Sequence, residues 1–386
     1  MKLKTIGIVG AGAMGSGIAQ VAAQAGCKVI ITDNFAESLL NSQKLIRSNL
    51  QKLVEKGKIE APFAEEIINN ISWTDSLADL ATSDLVIEAI IEEISIKKKL
   101  FAEIELIVSS NCILASNTSS LSITAIASAC KLSERVIGIH FFNPAPIMDL
   151  VEIIPAIQTQ QNITDLILQV ITSWKKTVVL AKDTPGFIVN RIARPYYSEA
   201  LRIMEEGIAN IETIDYAMTQ LGGFKMGPFA LMDFIGHDVN FRVTESVFQS
   251  FYFEPRYKPS FAQKRLFEAG WFGKKTGKGF YDYTQPSELQ IDTDISKIKY
   301  IYERILIMLI NEAVDALHWQ ISSKNDIDLA MQKGVNYPKG LLKWADELGI
   351  AHCVSLMDGL YEEYHEDRYR CSPLLRKKAL LCETFY

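Results

Sequence analysis

Residues 2–33 read KLKTIGIVGAGAMGSGIAQVAAQAGCKVIITD, and the order of parts in this stretch decides the fold. Ile6 to Val9 is a short apolar run of β character. It stops at Gly10-Ala11-Gly12-Ala13-Met14-Gly15, a G-x-G-x-x-G. An Ala-rich helical stretch follows, Ser16 to Ala25. Gly26 breaks it, Val29 to Thr32 is a second β run, and Asp33 ends that run. In such a unit Gly10 permits a tight turn, Gly12 lets backbone approach a pyrophosphate, and Gly15 lets helix and strand pack closely. The pyrophosphate then meets free N–H groups at a helix N-terminus. Asp33, 18 positions after Gly15, stands where an acid accepts hydrogen bonds from a ribose. A carboxylate there favours a free 2′-hydroxyl and repels a 2′-phosphate, so the expected cofactor is NAD and not NADP. Glycine-rich loops alone are common; strand, loop, helix, strand and acid in this order are not. Lys2 and Lys4 before an apolar run also suggest a secretory signal, but the run is short and broken by glycine.

Outward from this stretch, 386 residues suffice for two or three domains. A net charge of −6 gives no global support to nucleic-acid binding or to a polybasic membrane role. No apolar run approaches the length of a membrane span. Six cysteines without a C-x-x-C pair, on a nucleotide-binding fold, predict reduced thiols in the cytoplasm. The five histidines are far apart in sequence, so no metal site is expected.

Residues 36–70 are helical in period and carry Lys44, Arg47, Lys52, Lys56 and Lys58. Spacing alone favours a solvated helix face over a patch for a phosphorylated substrate. Leu85 to Ile90 reads as a buried strand, and Glu88, Glu92 and Glu93 put three carboxylates at its carboxyl end, where open α/β sheets bind ligands. Cys112 to Ala115 is the next strand, ending in Ser116-Asn117-Thr118-Ser119-Ser120, more polar groups than one helix cap needs. Arg135 to Phe142 is another, with His140 near its end. Glu152 follows twelve residues later, beyond a Pro-rich turn able to reverse the chain. A carboxylate beside an imidazole sets its tautomer and stabilises the imidazolium.

Val178 to Ala181 is a further strand, and Pro185-Gly186 marks a domain boundary. After it the strand–helix alternation ceases, and a repeat appears. Glu199-Ala200-Leu201 recurs as Glu312-Ala313-Val314, and Ile214-Asp215 as Ile327-Asp328. Gly227, Asp233 and Gly236 recur as Gly340, Asp346 and Gly349, all 113 positions on. The first copy has Asn190 where the second has Glu303. The predicted fold is an α/β Rossmann-type N-terminal domain (1–185) followed by two repeated all-α C-terminal domains (186–290 and 291–386). Between the copies, residues 272–281 look like a P-loop but lack its spacing and a preceding strand. They read as a basic, glycine-rich loop able to meet an anion.

Together these segments resemble the 3-hydroxyacyl-CoA dehydrogenases. The carrying stretches are GAGAMGSGIA (10–19), ASNTSSLSIT (115–124), GIHFFNPAPIMDLVEII (138–154), KDTPGFIVNR (182–191), GPFALMDFIG (227–236) and GKKTGKGFYDY (273–283). Within the family, GHDVNFRVTESVF (236–248) and EPRYKPS (254–260) are most similar to the 3-hydroxyadipyl-CoA type. The resemblance implies oxidation of an (S)-3-hydroxyacyl-CoA by NAD, in β-oxidation or a related acyl-CoA pathway. His140 would be the base, Glu152 its partner, and Ser119 and Asn190 would contact the substrate oxygen. Gly10, Ala11, Gly12, Ala13, Met14, Gly15, Asp33, Glu92, Lys97, Ser119, Asn143 and Lys275 would line the NAD site. Lys56 matches a residue at the CoA end, which turns the reading of the basic helix towards substrate binding. A serine the family uses there falls on Asn49, with Ser48 beside it. Single-copy members dimerise through the helical domain, so the resemblance implies either a monomer with an intrachain pseudo-dimer or a homodimer. The competing readings are an NAD-dependent dehydrogenase of a free 3-hydroxy acid or sugar acid, and a nucleotide-binding protein without turnover.

Overall fold

The computed structural model describes residues 3–285 and 290–386. Lys2 and residues 286–289, at the end of the first repeat copy as read from sequence, lie outside the described residues. Two compact units emerge, Met1–Phe187 and Ile188–Tyr386.

The first unit is built on an eight-stranded sheet among the described residues, in the order β3-β2-β1-β4-β5-β6-β7-β8. The fingerprint supplies β1 (Thr5–Val9), α1 (Ala13–Gln24) and β2 (Lys28–Thr32). Next come α2 (Ala36–Glu55), α3 (Ala61–Asn69) and β3 (Ile71–Thr74). The single helical period expected over 36–70 is thus two helices, parted at Gly57, whose φ of 63° suits glycine. β4 (Leu85–Glu88) and β5 (Ile113–Ser116) flank α4 (Ile94–Ile107). α5 (Ile123–Ala127) leads to β6 (Val136–Phe141). β1, β4, β5 and β6 run parallel, and their near-continuous burial explains their unbroken apolar sequences.

The chain then reverses. β7 (Leu150–Pro155) pairs antiparallel with β6, placing Glu152 directly opposite His140. α6 (Gln161–Ser173) returns it to β8 (Thr177–Leu180), parallel to β7. The sequence reading named neither β3 nor β7 as a strand.

The second unit is helical. Its first half holds α7 (Val189–Ile192), α8 (Arg194–Glu205), α9 (Ile211–Gln220), α10 (Pro228–Ile235), α11 (His237–Ser250) and α12 (Phe261–Glu268). Its second half repeats the pattern in α13 (Ile295–His318), α14 (Lys324–Gly334), α15 (Leu341–Leu348), α16 (Ile350–Tyr364) and α17 (Pro373–Leu381). The repeat extends to individual bonds. Asp215 accepts from the Phe229 and Ala230 N–H groups at 2.8 and 2.9 Å, and Asp328 from those of Leu342 and Lys343 at 2.8 and 3.0 Å. A Cβ on Gly227 or Gly340 would come within 2.3 Å of the respective carboxyl carbon, so each position demands glycine. Asp233 holds the Phe280 and Tyr281 N–H groups; Asp346 holds those of Phe385 and Tyr386.

The copies nevertheless form one compact unit, because each buries charge against the other. Arg191 Nε donates to Glu312 at 2.6 Å, and its counterpart Arg304 donates to Glu199 at 3.0 Å. Tyr257 donates to Glu312 at 2.6 Å and Tyr369 to Glu199 at 3.1 Å. Such reciprocity is the signature of an isologous, two-fold contact.

Candidate active site

In the first unit the site is assembled at the carboxyl ends of the parallel strands, where such sheets bind ligands. A cleft of about 570 Å³ opens beside the fingerprint, lined by Gly10, Gly12, Asp33, Phe35, Ile90 and Lys99 among others. The three glycines differ in their reasons. Gly10 has a φ of 105°, and an added Cβ would meet the Ala89 carbonyl at 2.6 Å. A Cβ on Gly15 would overlap the Gly10 carbonyl at 1.8 Å. Gly12 has no neighbour within 4 Å of the added atom and an ordinary φ of −68°. Nothing inside the protein demands glycine there, and the bare backbone leaves room for a ligand to approach. Asp33 is held at the cleft edge by N–H donation from Ala11 (2.8 Å) and Phe35 (2.9 Å). These residues fit a dinucleotide whose ribose hydroxyls meet a fixed carboxylate.

A second cluster follows β4. Glu88, expected as one of three ligand-facing carboxylates, is instead fully buried. It takes hydrogen bonds from Lys97 Nζ at 2.5 Å and Ser116 Oγ at 2.6 Å. Lys97, assigned to the cofactor site by resemblance, is also buried, with Nζ 3.4 Å from Glu92. Glu93 caps α4. Glu92 and Glu93 both remain exposed, and of the two only Glu92 gathers the polar loop. Its Oε1 gathers Thr118 Oγ1 (2.6 Å), the Ser119 N–H (2.9 Å) and Oγ (3.2 Å), and Ser120 Oγ (3.3 Å). Burial works against its charge, but Lys97 and the bonds from Thr118 and Ser119 outweigh this and hold the Glu92 carboxyl below its ordinary range. The polar run 116–120 therefore serves a loop anchored on Glu92, and Ser119 is presented from it. Asn117 ties the same loop to β6 by accepting the Phe141 N–H at 2.8 Å.

His140 lies at the end of β6, 5% exposed, with Nδ1 2.6 Å from Oε2 of the fully buried Glu152. Phe142 and Phe187 pack their rings 4.5 and 5.9 Å from the imidazole. These aromatic walls were not singled out from sequence, although both occur in the motifs that carry the resemblance. Asp183, in the DTPGF stretch, caps α5 by accepting the Ile123 and Thr124 N–H groups. Asn143 is exposed at the β6–β7 turn. Lys56 is exposed just past α2, and Asn49, on the same helix, reaches Gln20 at 3.4 Å. In the second unit Asn190 lies on α7, half-buried, and Lys275 forms an ion pair with Asp238 at 2.5 Å.

The NAD-binding domain of 3-hydroxyacyl-CoA dehydrogenases matches residues 5–184, and the C-terminal domain of these enzymes matches residues 186–283 and 300–383. The chain belongs to the 3-hydroxyacyl-CoA dehydrogenase family. It is 37% identical to the 3-hydroxyadipyl-CoA dehydrogenase of Escherichia coli K12, with 99% of this chain and 98% of that protein covered. It is 40% identical to the mitochondrial hydroxyacyl-coenzyme A dehydrogenase of Sus scrofa over 73% of this chain and 91% of that one. The crystal structure of a 3-hydroxybutyryl-CoA dehydrogenase from Escherichia coli K12 superposes with a TM-score of 0.93 at 37% identity, covering 99% of both chains. As a member of this family the chain is an NAD-dependent oxidoreductase. Among the described residues no helix is long and apolar enough to cross a membrane, and no group of three or more His, Cys, Asp or Glu is placed to hold a metal.

Proposed function

We propose that the chain interconverts (S)-3-hydroxyacyl-CoA and 3-oxoacyl-CoA, with His140 as general base and Glu152 as its partner. The observation that carries this reading is the buried 2.6 Å contact between His140 Nδ1 and Glu152, which leaves Nε2 to meet a substrate hydroxyl. Bound NAD supplies the hydride acceptor. Neutral His140 takes the proton of the secondary alcohol, and Glu152 stabilises the imidazolium that forms. In the reverse direction the imidazolium returns the proton to the C3 oxygen. Ser119 and Asn190 polarise that oxygen as hydrogen-bond donors. Asp33, the 10–15 loop, Glu92, Asn143 and Lys275 serve the cofactor, with Lys97 acting through Glu92. Lys56 and Asn49 receive the CoA end.

The reading extends to the pathway, fatty-acid β-oxidation or a related acyl-CoA route in the cytoplasm. It also covers domain organisation: residues 1–185 for NAD, and copies 186–290 and 291–386, the second covering the first so that one chain suffices. The reciprocal Arg191–Glu312 and Arg304–Glu199 contacts support that arrangement. Light scattering tests it: the mass of one chain is expected, and a dimer would mean that the repeat adds an interface. The activity is tested by following NADH absorbance with acetoacetyl-CoA, with free acetoacetate and NADPH as controls. Rapid oxidation with the thioester and NADH alone is expected. Oxidation with the free acid instead would replace this reading with a free 3-hydroxy acid dehydrogenase.

A further inference from the structure

Glu88 is the last residue of β4 and is fully buried, and no step of the proposed reaction uses it. In the parallel register it stands beside Val9 on one side and Ser116 on the other. Its carboxylate serves three parts of the unit. Oε1 accepts the Ile90 N–H at 2.7 Å and Lys97 Nζ at 2.5 Å, and Oε2 accepts Ser116 Oγ at 2.6 Å. Ala89, Ile90 and Ile91 line the cleft beside the fingerprint, so the first bond fixes part of its wall. Ser116 Oγ in turn accepts the Thr118 N–H at 3.2 Å, at the start of the loop that presents Ser119. The third branch runs through Lys97, whose buried ammonium is shared between Glu88 and Glu92 Oε2. Glu92 Oε1 holds the same loop through Thr118, Ser119 and Ser120. One carboxylate thus grips the loop at two points, directly at Ser116 and through Lys97 and Glu92 at residues 118–120.

Stability alone does not call for this arrangement. A buried ion pair loses about as much by desolvation as it gains by attraction, and well-packed hydrocarbon of similar volume is often as stable. Leu85, Val86 and Ile87 of the same strand are buried hydrocarbon. What hydrocarbon cannot do is hold an N–H, a hydroxyl and an ammonium at fixed distances from one point. A fully satisfied polar network specifies a single placement of the segments it joins. Here the joined segments are the cleft wall at Ile90 and the Ser119 loop.

We propose that Glu88 is a positioning residue of the reaction, fixing the Ser119 loop relative to the wall of the cofactor cleft. This rests on the reading that Ser119 contacts the substrate oxygen. Glu88 acts through Ser116 and through the Lys97–Glu92 pair. Its effect on turnover is therefore an effect on where Ser119 stands, and supporting groups of this kind set the precision of a site.

The test is a double-mutant cycle on kcat, with saturating NADH and acetoacetyl-CoA, in wild type, Glu88→Gln, Ser119→Ala and the double variant. The amide keeps the shape of Glu88 but loses the charge shared with Lys97 and offers Ser116 a donor where an acceptor stood. Glu88→Gln should lower kcat by about 10²-fold, the scale of a small misplacement at a reacting centre. In the Ser119→Ala background it should cost less than about threefold, because a loop without its hydroxyl has nothing left to position. Equal fold-losses in both backgrounds, or an unchanged kcat in Glu88→Gln, would overturn the proposal. If Glu88→Gln does not fold, Ser116→Ala cuts the direct branch alone. It should lower kcat about tenfold with wild-type Ser119 and less than about threefold without it, and equal losses would again overturn the proposal. Amide hydrogen exchange reads the loop apart from turnover. In Glu88→Gln, or in Ser116→Ala, exchange over residues 117–121 should rise about tenfold while that of β1 stays unchanged. This result supports the grip on the loop even where wild type oxidises no NADH and the dehydrogenase reading fails. An unchanged loop, or an equal rise in β1, overturns it.

Discussion

His140 and Glu152 are direct partners in the antiparallel register of β6 and β7, and their side chains meet at 2.6 Å. In an antiparallel pair, opposed residues place their side chains on the same face of the sheet. The contact is therefore built into the strand register, and a slip of one residue would send Glu152 to the other face. His140→Gln should retain NADH binding, read by fluorescence titration, and lower kcat by about 10²-fold or more. A near-normal kcat would remove His140 from the mechanism.

Glu152→Gln tests the partner. The amide preserves shape but offers the imidazole no charge and permits the wrong tautomer. A fall in kcat of about 10²-fold, with little change in NADH affinity, is expected. A loss of NADH affinity together with melting temperature would instead show that Glu152 only holds the sheet together.

Glu92 makes a pH-dependent contribution. Its folded carboxyl lies below the ordinary value of 4.5, so the ionised form is favoured in the folded state. The stabilisation is fully present above that value and is lost as pH falls through the lower folded range. The side chain is 37% exposed, so solvent screening makes the effect small. The melting-temperature difference between wild type and Glu92→Gln should be larger at neutral pH than in acid. A difference independent of pH would contradict the assignment.

Arg304→Met should destabilise the helical unit by about 3–5 kcal/mol in urea unfolding, because it leaves the buried Glu199 with fewer partners. Arg191→Met, acting on Glu312, should cost a similar amount if the reciprocal contacts are equivalent. A loss confined to one of the two variants would mean that the repeat is symmetric in sequence but not in energy.

Asp33→Ser removes the carboxylate at the edge of the fingerprint cleft. The ratio of kcat/KM for NADPH to that for NADH should rise about tenfold or more, since a charge that repels the 2′-phosphate is gone. An unchanged ratio would place NADPH exclusion elsewhere.

The first thirty-three residues were legible because each part obeys a local rule: an apolar run for β1, glycines at the turn, helix formers for α1, an acid closing β2. The repeat was legible too, since equal spacing at 113 positions needs no coordinates. Glu88, Glu92 and Glu93 looked alike in sequence and proved to be a buried ion-pair partner, a loop anchor and a helix cap. Nothing local distinguishes them, because burial depends on which distant strand or helix covers each one. Sequence by itself determined the nucleotide-binding unit, the existence of a duplicated helical part and the candidate His140 and Glu152. Only tertiary structure decided that those two touch and that the copies exchange buried arginines. Each of these depends on residues far apart in the chain, whose meeting is set by sheet register and helix packing and not by any spacing in the sequence.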